Sequence, residues 1–298
     1  MINKLLIVGC GLIGSSILKK VYKKRIAKKI FVYEKSKQNQ RILKKFKIKF
    51  ELIKKMDKKI SECDFAVICT PLSEYEKIFS IFNKYLKKNV TVTDVGSAKK
   101  NTITKIDKIR RKDINWISSH PIAGSEVSGP SNGNENLFVN KWSVIIKQKN
   151  SSSGQMKKIL KFWKLLGSKT VVMDSDQHDK IFAITSHLPH LVAYNLILTA
   201  TNFKSSNKNN ILKFSAGGLR DFSRIAASNE IMWRDIFFNN KTNMLKVIDL
   251  FINNLKIFKN EIKQNKKSLE TKLKKLKKVR QKIILLKQDT SKPDFGRI

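Results

Sequence analysis

The opening of the chain limits its fold more than any other segment. Lys4–Val8 reads as a short apolar strand. Gly9-Cys10-Gly11-Leu12-Ile13-Gly14 follows at once, and a helical pattern continues from Ser15 to Lys24. A G-x-G-x-x-G run is weak evidence alone, but between a strand and a helix it is the turn that dinucleotide-binding folds require. Gly9 allows the tight turn, Gly11 lets the backbone approach a pyrophosphate, and Gly14 lets the helix pack closely on the strand. Leu12 and Ile13, between the glycines, are cofactor-binding candidates, and the free N–H groups and dipole at the helix start favour the anion. A secretion signal ending at Cys10 is the competing reading. Its apolar run would be roughly five residues, short of the roughly 7–15 of a signal core. The cytoplasm is therefore the expected compartment.

A second strand, Ile30–Glu34, ends in an acid twenty residues after Gly14. A carboxylate there accepts from both ribose hydroxyls and repels a 2′-phosphate, so Glu34 favours NAD. Lys35 and Ser36 follow directly and leave NADP open, and a plain solvated strand end is the bland alternative for Glu34. Further strands are read at Phe65–Cys69, Val90–Val95, Trp116–Ser119, Trp142–Lys147 and Thr170–Met173, with a helix near Met156–Leu166. Open parallel sheets bind ligands outside the carboxyl ends of their strands. Thr70-Pro71, Ser97 and His120 fall at that edge.

After Asp174 the pattern becomes helical. A helix is expected from about Gln177 to Thr201, kinked or restarted at Pro189 because proline lacks one backbone donor. Ser205–Asn210 reads as a loop, Gly217–Arg224 as a glycine-led charged turn, and the segment after Asp235 as a long helix through about Lys259. A tail helix at about Lys266–Lys287 carries Leu269, Leu273, Leu276, Ile283 and Leu286 in one stripe. Such a stripe is expected to pack on the helical domain or on a second copy. The fold class is thus α/β. A doubly wound dinucleotide-binding domain spans 1–173, an all-α substrate and dimerisation domain 174–287, and a flexible tail 288–298.

Composition narrows the function. With 298 residues, 41% of them hydrophobic, the chain can build two cores, so wholesale disorder is excluded. Three Cys without a CxxC pair argue against a disulfide scaffold and a structural zinc site. No run of roughly 18 uncharged apolar residues is present, so no membrane span is expected. Lys and Arg outnumber Asp and Glu by 62 to 23, a formal net charge of +39. The positives are mostly Lys, spread end to end beside much Asn and Ile, the residues that AT-rich codons specify. Codon bias explains that excess better than a nucleic-acid partner, although a basic nucleic-acid binder on a dinucleotide fold stays as the alternative of a different class. His187-x-x-His190 places two imidazoles on one helix face. Without HExxH or a nearby Cys it reads as a contact for an anionic substrate, and no metal is expected.

Five segments carry a family resemblance: GCGLIGSS at 9–16, DVGSAK at 94–99, HPIAGSEVSG at 120–129, HDKIFAITSHLPH at 178–190 and GGLRDFSRIAASNEIMWRDI at 217–236. In this order they resemble the prephenate dehydrogenases, with their arogenate and cyclohexadienyl relatives of tyrosine biosynthesis. The departures are Ser15, where a third glycine of the turn is common, and Asn229-Glu230, where a proline often sits. The resemblance implies NAD-dependent oxidative decarboxylation of prephenate to 4-hydroxyphenylpyruvate, or of arogenate to tyrosine, by a homodimer. It implies His120 as the base and Ser97 as its helper, binding the same hydroxyl or orienting His120. Arg224 would hold the ring carboxylate and Asp221 would orient Arg224. Ser186, His187 and His190 would contact substrate, and Asp179 and Trp233 would be gate or wall residues. A hydroxyacid or imine-reductase type of dehydrogenase is the other enzyme reading, but its Lys after a Gly-rich helix start has no counterpart here. No nucleic acid or membrane partner is implied.

Overall fold

In the computed structural model, which describes residues 2–148, 151–203 and 213–286, the first half alternates strand and helix. The elements are β1 (Ile2–Val8), α1 (Leu12–Lys23), β2 (Ala27–Tyr33), α2 (Lys37–Leu43), β3 (Glu51–Ile53), β4 (Phe65–Ile68), α3 (Tyr75–Tyr85), β5 (Thr91–Asp94), α4 (Lys100–Ile109) and β6 (Asn115–Trp116). The six strands pair in the order β3-β2-β1-β4-β5-β6, all parallel. That is the doubly wound order of dinucleotide-binding folds. A parallel sheet is covered on both faces, so its central strands are continuously apolar. Leu6, Val8, Ala66 and Ile68 pack with Tyr75, Phe79 and Phe82 of α3 on one face. Leu5, Ile7, Phe65 and Val67 pack on the other with Ile17 and Val21 of α1.

A smaller sheet follows. Its strands are β7 (Ser119–Pro121), β8 (Trp142–Ile146) and β9 (Lys169–Met173), with α5 (Ser153–Leu165) between the last two. β7 runs antiparallel to β8, and β8 parallel to β9. The sequence reads Trp116–Ser119 as one strand, but the chain changes sheets there. Buried polar contacts hold the crossing: Ser119 Oγ donates to Asp94 O at 2.6 Å and accepts from Trp163 Nε1 at 2.9 Å. His120 therefore lies inside β7 rather than after a strand end.

The expected helix from Gln177 to Thr201 is three pieces: α6 (Ser175–Phe182), a π-helical turn (Ala183–His187) and α7 (Leu188–Asn202). Pro189 cannot donate to the preceding turn, and the wide turn sits directly before it. The run Ser175–Asn202 reaches a mean hydropathy of 1.4 in its most apolar window, so by length and composition it is long and apolar enough to cross a membrane. This corrects the expectation of no such run. Thr185, Ser186, His187 and His190 interrupt the apolar residues without adding acid or lysine, so an average passes where a strict count fails. Phe182, Ala183, His187 and Ala193 of the run are buried in the protein.

The remaining helices are α8 (Gly217–Ala226), α9 (Glu230–Asn239), α10 (Lys241–Lys263) and α11 (Ser268–Leu285). The glycine-led turn at 217–224 is thus a helix, and α7 packs on it. The long helix after Asp235 is broken at Asn240. The Asn240 amide is buried and donates to Asp179 O at 2.8 Å, which ends α9. Contacts group residues 1–187 with 227–241 as one compact unit, and 188–226 with 242–298 as a second. The division read from sequence at 173/174 runs through the first of these. No residue of α11 is buried, and Leu273, Leu276 and Ile283 of its stripe are exposed within the single chain. Residues 205–210 and 288–298 lie outside the described part.

The glycine turn sets a stability test. A side chain on Gly14 would collide with Gly9 O, which the turn cannot move because Gly9 itself sits at φ +83°. Gly14→Ala should cost about 1–3 kcal/mol in urea unfolding, as overpacking does elsewhere. A variant as stable as the parent would show that the turn is looser than this.

Candidate active site

The first part of the site is the β1–α1 turn. Gly11 is the N-cap of α1, with no side-chain cap and no acid in the first turn, so the helix start offers its N–H groups outward. A Cβ on Gly11 would meet no protein atom within 4 Å. The bare backbone is therefore not demanded by internal packing, and the space suits a close ligand. Leu12 and Ile13 begin the helix and are half-buried. Glu34 stands beside the turn: one carboxylate oxygen accepts from Cys10 N at 2.7 Å, the other from Ser36 N at 2.8 Å. Of the residues that left a 2′-phosphate open, Ser36 caps α2 through Asn39 N, and Lys35 lies 3.6 Å from Glu74. Thr70 Oγ1 is buried without a hydrogen-bond partner at the end of β4, and Pro71 starts the next turn. These residues fit a dinucleotide with a free ribose diol.

The second part is a buried ion pair. Asp94 ends β5, and Lys99 reaches back to it at 2.8 Å, both almost fully enclosed. Lys99 Nζ also donates to Ser118 Oγ at 2.9 Å and Ser119 O at 2.6 Å, using all three of its donors. Asp94 accepts further from Tyr75 Oη at 3.1 Å, Gly96 N at 3.0 Å and Trp116 Nε1 at 3.1 Å. Burial pushes the Lys99 ammonium below its ordinary value, and Asp94 opposes that push. The hydroxyl of Tyr75 is driven well up by burial and by the same carboxylate. The cluster fixes Ser118-Ser119, and so fixes the next residue, His120.

The third part is a row of imidazoles. His120 Nδ1 lies 2.9 Å from His178 Nε2, and His178 Nδ1 lies 2.8 Å from Asp179 Oδ1. Phe182 packs edge-on against His120 at 4.9 Å between ring centres. Burial holds the His120 pKa well below 6.5, and His178, Lys99 and His187 push it the same way. Burial thus favours the neutral ring, with Nε2 as the nitrogen left for a ligand.

The other sequence-predicted residues divide between the units. Ser97 is half-buried near the Asp94 cluster and makes no hydrogen bond to His120 among the described residues. The partner on His120 is His178, to which the sequence reading gave no task. Asp179, expected as a gate or wall residue, is almost fully enclosed. Its two oxygens accept from Lys99 N and Lys100 N at 2.9 Å each, beside the His178 contact. His187, expected to touch substrate, is fully buried, with Asn240 Nδ2 3.1 Å from its Nδ1 and the Trp233 ring 6.1 Å away. Trp233 is itself buried, and Ser186 is half-buried. His190, Asp221 and Arg224 belong to the second unit. There Arg224 Nη2 lies 3.8 Å from Asp221 Oδ1, an ion pair too long for a hydrogen bond. Among the described residues, no group of three His, Cys, Asp or Glu could hold a metal.

Two family models match the chain. The prephenate dehydrogenase nucleotide-binding domain covers residues 18–172, and the prephenate dehydrogenase dimerization domain covers 174–278. The chain belongs to the prephenate dehydrogenase family. A cyclohexadienyl dehydrogenase from Zymomonas mobilis is 30% identical over 253 residues, spanning 84% of this chain and 85% of that protein. A prephenate dehydrogenase from Bacillus subtilis is 26% identical over 265 residues, spanning 89% and 71%. The solved prephenate dehydrogenase of A. aeolicus, in complex with hydroxyphenyl propionate and NAD+, matches with a TM-score of 0.87 at 30% identity. It covers 95% of this chain and 99% of that one.

Within this prephenate dehydrogenase fold, sequence reasoning quoted Asp94 and Lys99 but gave them no task. Their signal was an acid and a lysine five apart, bracketing the sharp turn at Gly96 between a strand and a helix. Lys99→Met tests the pair. It leaves a buried carboxylate short of its counter-charge, a change that costs about 3–5 kcal/mol in comparable pairs. Denaturant unfolding should show a loss of that order, and a loss under about 1 kcal/mol would contradict the assignment.

Proposed function

We propose that this chain is an NAD-dependent prephenate dehydrogenase, converting prephenate to 4-hydroxyphenylpyruvate and CO2 in the synthesis of tyrosine. The observation that carries the reading is a buried, neutral His120 fixed on β7 by the Asp94–Lys99 cluster. When NAD is bound at the glycine turn, its oxidised ring supplies the acceptor for the hydride on the hydroxyl-bearing carbon. Glu34 takes the ribose hydroxyls, and the start of α1 takes the pyrophosphate. Thr70 and Pro71 border the cofactor. His120 accepts the hydroxyl proton as that carbon becomes a carbonyl, because a neutral imidazole has a free lone pair and the hydroxyl grows acidic as the hydride leaves. The ring carboxylate leaves as CO2, its electron pair makes the ring aromatic, and His120 returns the proton to the phenolic oxygen.

Ser97 hydrogen-bonds the same substrate hydroxyl. Arg224 grips the ring carboxylate with two parallel donors, which a lysine cannot copy, and Asp221 steers it. Ser186 and His190 contact the side-chain end. Asp179, His187 and Trp233 hold the wall from behind. We assign 1–173 to the dinucleotide and 174–287 to substrate and dimerisation. The match to a dimerization domain and the exposed apolar residues of α10 and α11 support a homodimer. The three free cysteines fit a reducing cytoplasm. The reading needs neither nucleic acid nor membrane. Arogenate is the second substrate to test, since the Zymomonas relative bears the broader cyclohexadienyl name.

Cofactor reduction with prephenate and arogenate, each with NAD and NADP, tests the whole reading. Turnover of prephenate with NAD is expected, and none in all four assays would refute it. His120→Asn should lower kcat by at least about 10²-fold. Arg224→Ala should raise KM for prephenate by about tenfold or more, roughly 1.4 kcal/mol or above, and an unchanged KM would reject its role. The pH profile has a fixed sign. His120 must be neutral to accept a proton, so activity falls as pH drops through its pKa. Burial lowers that pKa, and the acid limb of kcat/KM should lie below 6.5.

A further inference from the structure

A neutral imidazole has one nitrogen that carries a proton and one that accepts. A base is useful only if the accepting nitrogen faces the substrate. The Asp179–His178–His120 row decides which it is. Asp179 lies on α6, and its oxygens accept from Lys99 N and Lys100 N, the free donors at the start of α4. The carboxylate thus caps a neighbouring helix and acts as an acceptor in each contact. The proton between Asp179 Oδ1 and His178 Nδ1 therefore rides on the imidazole. Burial lowers the pKa of His178, with Asp179 opposing, so its ring is neutral and its Nε2 holds a lone pair. At 2.9 Å from that lone pair, His120 Nδ1 must donate.

We propose that His178, anchored by Asp179, is a positioning residue that fixes His120 as the Nδ1–H tautomer and leaves the Nε2 lone pair to take the substrate proton. The inference rests on the reading of His120 as the base. Ring packing adds rigidity: Phe182 lies 4.5 Å from the His178 ring and 4.9 Å from the His120 ring, centre to centre. The charged and titratable groups acting on His120 are His178, Lys99 and His187, and those on His178 are Asp179, Lys99 and Asp94. None of these others offers His120 Nδ1 a second acceptor at hydrogen-bond distance. During turnover His120 becomes an imidazolium, and its Nδ1–H bond to His178 strengthens as it does so. Without His178 the neutral ring divides between two tautomers, and the imidazolium loses its acceptor. Holding a base in one tautomer through a second side chain has large effects in other enzymes.

The experiment combines one spectrum with two variants. In protein labelled with 15N in its histidine rings, His120 should show a proton on Nδ1 and none on Nε2, with no substrate needed. A proton on Nε2 would overturn the proposal. His178→Leu should lower kcat by about 10–100-fold, with KM for NAD and prephenate within about threefold. His178→Gln offers a carbonyl to Nδ1 and should recover about tenfold over Leu. Equal losses in the two variants, or full activity in His178→Leu, would overturn the proposal. If His178→Leu does not fold, the wild-type spectrum decides alone. Near-normal turnover of His120→Asn would instead sink the base assignment, whatever tautomer the spectrum records.

Discussion

The Asp94–Lys99 ion pair is the contact on which the rest of the site depends. Two enclosed charges are costly to desolvate, and such a pair is seldom a net source of stability. Its use here is geometric. Asp94 closes the end of β5, gathers Tyr75, Gly96 and Trp116, and leaves Lys99 to hold Ser118 and Ser119. Those two serines carry the chain from the large sheet to the small one. His120 follows directly, so its position is set by electrostatics two residues upstream rather than by the sheet alone.

Much of this was legible in the sequence, for physical reasons. The dinucleotide turn was readable because a positive φ at Gly9 and the close approach at Gly14 leave no substitute for glycine. The parallel sheet was readable from apolar runs with punctuated ends. Other features were not. Gly217–Arg224 looked like a turn because two glycines begin it, yet tertiary packing on α7 makes it helical. The break at Asn240 was invisible because an asparagine inside a helical pattern shows nothing of its partner, here the carbonyl of Asp179. The split of β6 from β7 depends on hydroxyls at Thr93 and Ser119, whose contacts are 26 residues apart in the chain. His178 carried a weak signal, an imidazole beside an acid, and only the distances show that it faces another imidazole. Motif matching found Asp179 and His187 but not their burial.

The basic surplus also has a local reading. The few acids are shared among lysines: Glu51 meets Lys29 and Lys59, and Asp176 meets Lys100 and Lys180. Hydrogen bonds from Lys100 and Lys180 hold the Asp176 carboxyl down to about 2. Exposed pairs of this kind add little to stability. They show an acid-poor surface on which single carboxylates are shared between two lysines.

The Asp179 carboxylate does two jobs with one pair of oxygens, capping the start of α4 and fixing the proton on His178. Such sharing removes a degree of freedom from the evolution of this site. A change that relaxed the helix cap would also release the tautomer, and a change that retuned the base would loosen a helix. Position 179 therefore offers selection no route by which catalytic power could be exchanged for durability, and a drift in either would register in both at once.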